Sequence, residues 1–499
     1  MADKSGKDER RLTRRNFIKG AAATGVSAAA FAGFIPRNLQ AAPIPKEWDK
    51  ESDVVVVGGG GAGLLAAIET ADTGASTILL ETEPVCLGSS GISGGIVTLC
   101  ETEIQPGSRD ELYADLMEAH HQDCNPEMVR AYVNNAPETY KRMKQAGVKF
   151  ERVSQWAHMK KPWGHDASSA SEMVKALEST AKKKGVEILR NTRGNKLIVN
   201  SSDRVVGIQA TRRGRSKYYG ARKAVVVTTG GFTRNPALAK NFGRPESEKI
   251  VPLTGIGSRG DGLIMSWALG SDMAYMCQGV GPTGPAEKET GATAIAFYAG
   301  AMIVNKNGKR FYRESEVYSD ITLAGLQQPD VLIIQLYDSK IQKAFEGSVL
   351  GKLCKGAKVH HADTLKDLGA ILKDACGLDA DTMVETVNKY NGYVDAGFDP
   401  EFGRKNLVGT SGKLMKLDTP PFYAMISVPG TTHFNGGLKV NTKMQVLNVF
   451  GEIIPGLYAA GEVTGGFHGA GYMSGSALGM AVIYGRIAGM NAAKEVKSS

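Results

Sequence analysis

Two glycine-rich runs carry the residues whose types and spacing can do chemistry. Near the start, Asp53-Val54-Val55-Val56-Val57 leads into Gly58-Gly59-Gly60-Gly61-Ala62-Gly63 and then Leu64-Leu65-Ala66-Ala67-Ile68. Near the end, His468-Gly469-Ala470-Gly471-Tyr472 leads into Met473-Ser474-Gly475-Ser476-Ala477-Leu478. The first run is G-x-G-x-x-G between a buried-strand pattern and a helical one. Glycine there closes the turn and lets a pyrophosphate reach unpaired N–H groups at a helix N-terminus. Thr77 to Leu80 reads as the second strand, and Glu81 follows 18 residues after Gly63, where a carboxylate accepts hydrogen bonds from an adenosine ribose. The same glycine spacing recurs at Gly255, Gly257 and Gly260 and at Gly279, Gly281 and Gly284, without the valine strand or the downstream acid. Only the first copy has a dinucleotide-binding context. The second run sets one large polar side chain, Tyr472, among small residues, which suits a ligand with a neutral polar oxygen.

The elements that must hold these runs fit within a chain of 499 residues, 42% hydrophobic and 22% charged, enough for a full core in more than one lobe. An α/β fold is expected. Thr13-Arg14-Arg15-Asn16-Phe17-Ile18-Lys19, an Ala/Gly-rich stretch to Ile35 and Leu39-Gln40-Ala41 together read as a twin-arginine export signal over residues 1–42. The expected location is therefore periplasmic or otherwise extracytoplasmic. That leader holds eight Lys/Arg against three Asp/Glu, so the net charge of +9 falls to about +4 without it, and no nucleic-acid footprint remains. No apolar span is long enough to cross a membrane. Cys86, Cys100, Cys124, Cys277, Cys354 and Cys376 never fall at C-x-x-C spacing, so neither a metal centre nor haem attachment is expected, and free buried thiols are. His158, His165, Trp156 and Trp163 form a cluster that either lines a pocket or packs a loop.

Further motifs follow in order: Ser89-Ser90-Gly91-Ile92-Ser93-Gly94-Gly95, Thr228-Thr229-Gly230-Gly231-Phe232, Gly260-Asp261-Gly262, and Gly456-Leu457-Tyr458-Ala459-Ala460-Gly461-Glu462-Val463. With them the chain, from about Ser52 to Ala493, resembles the fumarate reductase and succinate dehydrogenase flavoprotein family, which includes urocanate reductase and 3-ketosteroid dehydrogenases. The resemblance implies FAD as cofactor. It implies contacts from Gly58, Gly60, Gly61, Ala62 and Gly63 to the pyrophosphate and from Glu81 to the ribose. Ser89, Ser90, Gly94 and Gly95 would face the diphosphate–ribityl region, with Thr229 and Gly230 nearby, and Gly194 the adenine. Asp261 and Glu462 would be the acids near the ribityl and ribose hydroxyls, and Ser476, Ala477 and Leu478 the start of a helix aimed at the flavin pyrimidine edge. A helix N-terminus there stabilises the negative charge of a reduced flavin.

The family layout implies a Rossmann-like FAD-binding domain with a parallel sheet, built from residues 50–270 and 428–495, and an inserted α+β capping domain over 271–427. In the cap, Ala301 to Val304 and Val331 to Ile334 read as strands and Asp381 to Asp395 as an amphipathic helix. Substrate would lie between cap and flavin.

Departures from the family then narrow the chemistry. Where dicarboxylate reductases place a proton-donating arginine after G-K-R-F, this chain has Gly308-Lys309-Arg310-Phe311 and, at that spacing, Tyr318. The substrate-clamping arginine of H-G-A-N-R is replaced by Tyr472, the H-P-T histidine by Gly281, and a glutamate and an arginine downstream by Ala294 and Phe297, while His433 is retained. Two carboxylates in a dry cleft need permanently charged bidentate donors. Their absence implies an activated C=C substrate conjugated to an uncharged carbonyl. Tyr318 would deliver the proton, with His433, Tyr472 and the N–H of Gly475 polarising the carbonyl. Electrons would come from a separate cytochrome or quinol-linked donor. Two other readings stay open: a 3-ketosteroid-type dehydrogenase that introduces a C=C bond, and a flavin electron carrier or binding protein without alkene chemistry.

Overall fold

The computed structural model describes residues 41–156, 159–243, 249–276, 281–287, 292–407 and 412–496. Residues 1–40 of the expected leader over 1–42, together with His158, Cys277 and Gly279, lie outside the described residues.

The valine run forms the strand Lys50–Val57, and Val54, Val55 and Val56 are fully buried. Covered on both faces, it reads as continuous hydrophobe instead of alternating. It pairs in parallel with Thr77–Leu80 on one side and Arg215–Val227 on the other. The parallel sheet extends to Glu187–Leu189 at one end and Ile453–Ala459 at the other. Gln445–Leu447 closes that second edge in antiparallel fashion. The antiparallel strands Thr192–Val199 and Val205–Arg212 branch off Arg215–Val227. This is the α/β class expected.

Helix Gly61–Asp72 leaves the first strand, and the C-terminal helix Ser476–Lys494 packs along it. The two backbones approach closely because Gly485 and Gly489, one turn apart, leave no Cβ to strike the carbonyls of Ala62 and Ala66. A small sheet of Ile96–Thr98, Gly164–Ala167 and Phe150–Ser154 lies beside the start of the C-terminal helix, where the Thr98 N–H donates to the Gly475 carbonyl at 3.2 Å.

A second sheet runs Gly284–Pro285, Phe422–Val428, Ile333–Asp338, Met302–Val304, with His360–Ala362 on the far part of Phe422–Val428. It has its own core, including Ile303, Val304, Ile334, Leu336 and Ala424, and helices Leu365–Cys376 and Ala380–Ala396 pack on it. The expected strand at Val331 begins two residues later, because Pro329–Val331 forms a 3-10 turn with Asp330 at φ 55°. The chain enters this sheet past Gly281 to Thr283 and returns through Gly430–Thr431, which pairs with Val251–Pro252. The second sheet and its helices, the cap, are thereby tied to the dinucleotide lobe at the point where His433 stands. Among the described residues no helix is long and apolar enough to cross a membrane. The five described cysteines are free.

Candidate active site

Gly58 has φ of +113°, a conformation that L side chains rarely adopt, and a Cβ there would also collide with the Thr228 carbonyl. A Cβ on Gly63 would collide with the carbonyl of Gly58, so glycine sets the spacing of helix and strand. Gly60 is the N-cap of helix Gly61–Asp72 and supplies no side-chain cap, which leaves first-turn N–H groups for an anion. Ala62 is buried just inside. Glu81 accepts from the Gly59 N–H at 2.7 Å and the Glu83 N–H at 2.8 Å, and burial pushes its carboxyl up against those bonds. Ser90 Oγ accepts from the Gly61 N–H and Ser89 Oγ from the Gly255 N–H, each at 3.1 Å, so the short helix Gly88–Ile92 sets Ser90 on the glycine turn and Ser89 against the loop at Gly255. Gly94 is exposed and Gly95, at φ +73°, is buried against Ala170.

Thr229 Oγ1 accepts from the Gly262 N–H at 3.2 Å, and Gly230 turns at φ +73°. Gly194 sits on its strand against Val57 and Ile208, where any side chain would clash. Asp261 is the first residue of helix Asp261–Trp267, and Arg193 grips both its oxygens at 2.7 Å. Sequence reasoning did not find that partner; only adjacency of Arg193 to Gly194 hints at it. Glu462 is different. Its Oε1 is buried with no hydrogen-bond partner, and burial pushes the carboxyl up to about 7, opposed by the N–H groups of Gly231 and Phe434. A buried acceptor left open beside a glycine cradle fits a ligand hydroxyl.

Helix Ser476–Lys494 starts from Gly475 in the left-handed region at φ +81°, a position where a Cβ would press on Ile96 and Thr98. In its first turn Ser476 and Leu478 are buried, and the Ala477 N–H faces the Tyr472 hydroxyl. Ser476 Oγ donates to the Met473 carbonyl at 2.6 Å and pairs with His468 Nε2 at 2.9 Å.

Above this floor the structure gathers the residues singled out for chemistry. The Tyr472 ring lies 4.8 Å from His433 and 5.4 Å from His468 between centroids, and Tyr318 reaches it from the cap at 6.4 Å. Burial raises the Tyr472 phenol to about 12, partly offset by the N–H groups of Ala477 and Gly475 and by Tyr318. Burial also holds Tyr318 well above 10, with Tyr472 adding to the rise and Ser474 opposing it. His433 pairs through Nδ1 with Thr432 Oγ1 at 2.9 Å, while its Nε2 is buried without a partner. Burial lowers it to about 4, so the imidazole is neutral at neutral pH. Ala294 and Phe297 are fully buried in the cap core.

Sequence reasoning missed His120. It is fully buried, its ring 5.0 Å from His468 and 5.1 Å from Phe467, and neither of its nitrogens finds a hydrogen-bond partner. No motif marks it, since it ends a helix far away in sequence. The described members of the Trp/His cluster serve local packing: His165 is held by Thr102 Oγ1 at 2.8 Å and the Trp163 carbonyl at 3.0 Å, Trp163 Nε1 donates to Asp115 at 2.7 Å, and Trp156 Nε1 to Ser154 Oγ at 2.8 Å. Among the described residues no group of histidine, cysteine and carboxylate side chains could hold a metal ion.

Residues 53–478 match the FAD binding domain family. The chain is 30% identical over 462 residues to a fumarate reductase (cytochrome) of Shewanella frigidimarina, covering 90% of this chain and 78% of the relative. It is 29% identical to an NADH:fumarate oxidoreductase of Klebsiella pneumoniae, where it spans 82% of itself but only 44% of that relative's length. Among solved structures, the open conformation of a flavocytochrome c3 fumarate reductase superposes with a TM-score of 0.79 at 27% identity, covering 98% and 83% of the two chains. A 3-ketosteroid-Δ4-(5α)-dehydrogenase from Rhodococcus jostii superposes with a TM-score of 0.69 at 26% identity, covering 90% and 98%. The chain belongs to the fumarate reductase family of FAD-binding flavoproteins. It is an FAD-dependent oxidoreductase acting on C=C bonds.

Proposed function

We propose that this protein is an exported reductase of an activated alkene whose recognised end is an uncharged carbonyl, an enone or enoate ester, and that a separate cytochrome or quinol-linked donor supplies the electrons. One observation carries the reading: two phenols, Tyr318 from the cap and Tyr472 from the floor, face each other beside neutral His433. Those positions hold guanidinium groups in dicarboxylate reductases.

The pyrophosphate of FAD would lie on the first turn of Gly61–Asp72, a hydroxyl against Glu462 Oε1, and the pyrimidine edge at the N-terminus of Ser476–Lys494. Bound there, FAD supplies the hydride for the β-carbon of the alkene. Tyr318 gives its phenolic proton to the α-carbon from the cap side. His433 Nε2, Tyr472 and the Gly475 N–H hold the carbonyl oxygen, on which enolate charge develops, and one such donor is worth about 3 kcal/mol. Ser474 lies next to the Tyr318 hydroxyl and steadies the phenolate left behind. Cap and floor together exclude water, which strengthens each of these contacts.

The likeness to a 3-ketosteroid dehydrogenase supports a reading in the opposite direction, with Tyr318 as base. The buried Tyr318 phenol is protonated at rest, which is the form the reductive direction needs. The twin-arginine sequence supports export, and the single dinucleotide motif supports an external electron donor. The test is to reduce the flavin with dithionite, add 2-cyclohexen-1-one, methyl cinnamate or fumarate, and follow reoxidation. Rapid reoxidation by fumarate and none by the uncharged carbonyls removes the proposal.

A further inference from the structure

The helix that carries Tyr318 begins without a side-chain cap. Tyr318–Leu326 has Val317 at its N-cap, where Ser, Thr, Asn or Asp would ordinarily accept a first-turn N–H. The N–H of Tyr318 goes instead to the hydroxyl of Tyr298 at 2.6 Å, and that hydroxyl donates to the Glu316 carbonyl at 3.1 Å. Tyr298 thus bridges the two backbone groups on either side of Val317, and its own donor and acceptor are both used.

Tyr298 is fixed in turn. It is 4% exposed and lies in the 3-10 turn Ala296–Ala299, its ring edge-on to Phe297 at 4.7 Å. Arg404, fully buried, donates to the carbonyls of Phe297 at 3.2 Å and Ala301 at 3.3 Å, so it clamps the turn from both ends. Glu314 lies 3.5 Å from Arg404 and also binds Arg310, which Asp399 holds from the other side. Buried charge in the cap therefore fixes a turn, the turn fixes a hydroxyl, and the hydroxyl fixes the first peptide of the helix that aims Tyr318 at the floor.

We propose that Tyr298 is a positioning residue for Tyr318, its hydroxyl replacing the missing N-cap and setting the direction of the proton-donating phenol. The inference rests on the reading of Tyr318 as proton donor. Tyr298 moves no proton itself, since both of its hydrogen bonds are to backbone.

The test compares the holoenzyme with Tyr298→Phe, Tyr318→Phe and the double variant, using reoxidation of the reduced flavin by 2-cyclohexen-1-one and methyl cinnamate. Tyr298→Phe keeps the ring and its packing. It is expected to lower the reoxidation rate about 10- to 100-fold, the usual cost of misplacing a reacting group. Half-saturating probe concentration stays unchanged and the solvent deuterium isotope effect grows. In the Tyr318→Phe background the same change costs nothing further. Independently of any substrate, amide hydrogen exchange over residues 316–320 rises at least 10-fold while flavin content holds. If Tyr298→Phe loses its flavin, exchange and reoxidation are measured on Tyr298→Phe/Val317→Thr, where the threonine supplies a side-chain cap: restored flavin and rate support the inference, and no restoration overturns it. Unchanged exchange, or an equal further loss in the double variant, overturns the inference. Full activity of Tyr318→Phe defeats the donor reading and this inference together; loss of activity there with none in Tyr298→Phe defeats this inference alone.

Discussion

The rings of Tyr318 and Tyr472 stand 6.4 Å apart between centroids and tilted by 49°, one carried by the cap and the other by the loop before the C-terminal helix. Neither phenol ionises readily, because burial raises both. A buried neutral phenol can give a proton only when the charge it leaves is met at once, and here Ser474 meets it. Tyr318→Phe should therefore bind FAD normally and lose activity on a conjugated ester by about 10²- to 10⁴-fold. Flavin content and stopped-flow reoxidation of the reduced protein check this.

The neutral floor makes a prediction about charge. Two free carboxylates brought against Tyr318 and Tyr472 would lose water without gaining a guanidinium, at a cost of several kcal/mol. Fumarate should reoxidise the reduced flavin at least 10²-fold more slowly than its dimethyl ester. Tyr472→Arg should narrow that gap by favouring the diacid. Parallel progress curves with the two compounds, on parent and variant, measure it.

Close backbone approach is the basis of a third expectation. A methyl group at Gly63 must push helix Gly61–Asp72 away from the carbonyl of Gly58, and with it the N–H groups that face the pyrophosphate. Gly63→Ala should be purified with little flavin and a melting temperature several degrees lower. Gly74→Ala meets open space, though its φ of +81° adds local strain, and should keep its flavin. The ratio of flavin to protein absorbance separates the two.

How far the sequence disclosed all this depends on what kind of signal each residue leaves. The run Val54 to Val57, the glycines and Glu81 were legible because strand, turn and carboxylate lie within thirty residues and each follows from local geometry. Tyr318, Tyr472 and His433 were legible only through the family motifs around them, since nothing local brings residues so far apart in sequence to one face. Arg193, which takes both oxygens of Asp261, and Arg404, which holds the turn of Tyr298, were not legible at all. Each is an ordinary arginine in sequence and acquires a role only when another element folds against it. His120 shows the same limit, because its contacts with His468 and Phe467 come from chain more than three hundred residues away.

Glu462 offers a test that needs no substrate. Its carboxyl, ordinarily near 4.5, is pushed up to about 7 by burial, so the neutral form is favoured by folding. A raised acid contributes stability that is complete below 4.5 and is lost as pH rises through about 7. The flavin-free protein should therefore lose melting temperature relative to Glu462→Gln across that window, at about 1.4 kcal/mol for each pH unit crossed. His433 runs the other way: lowered to about 4, it costs stability as pH falls below its ordinary value, and it does so equally in both proteins. The difference between parent and variant thus isolates Glu462. With FAD bound, a hydroxyl donating to Oε1 favours the carboxylate and lowers its pKa. The pH dependence of that difference should then flatten, and a difference curve that keeps the same slope with and without FAD would show that no ligand hydroxyl meets Glu462.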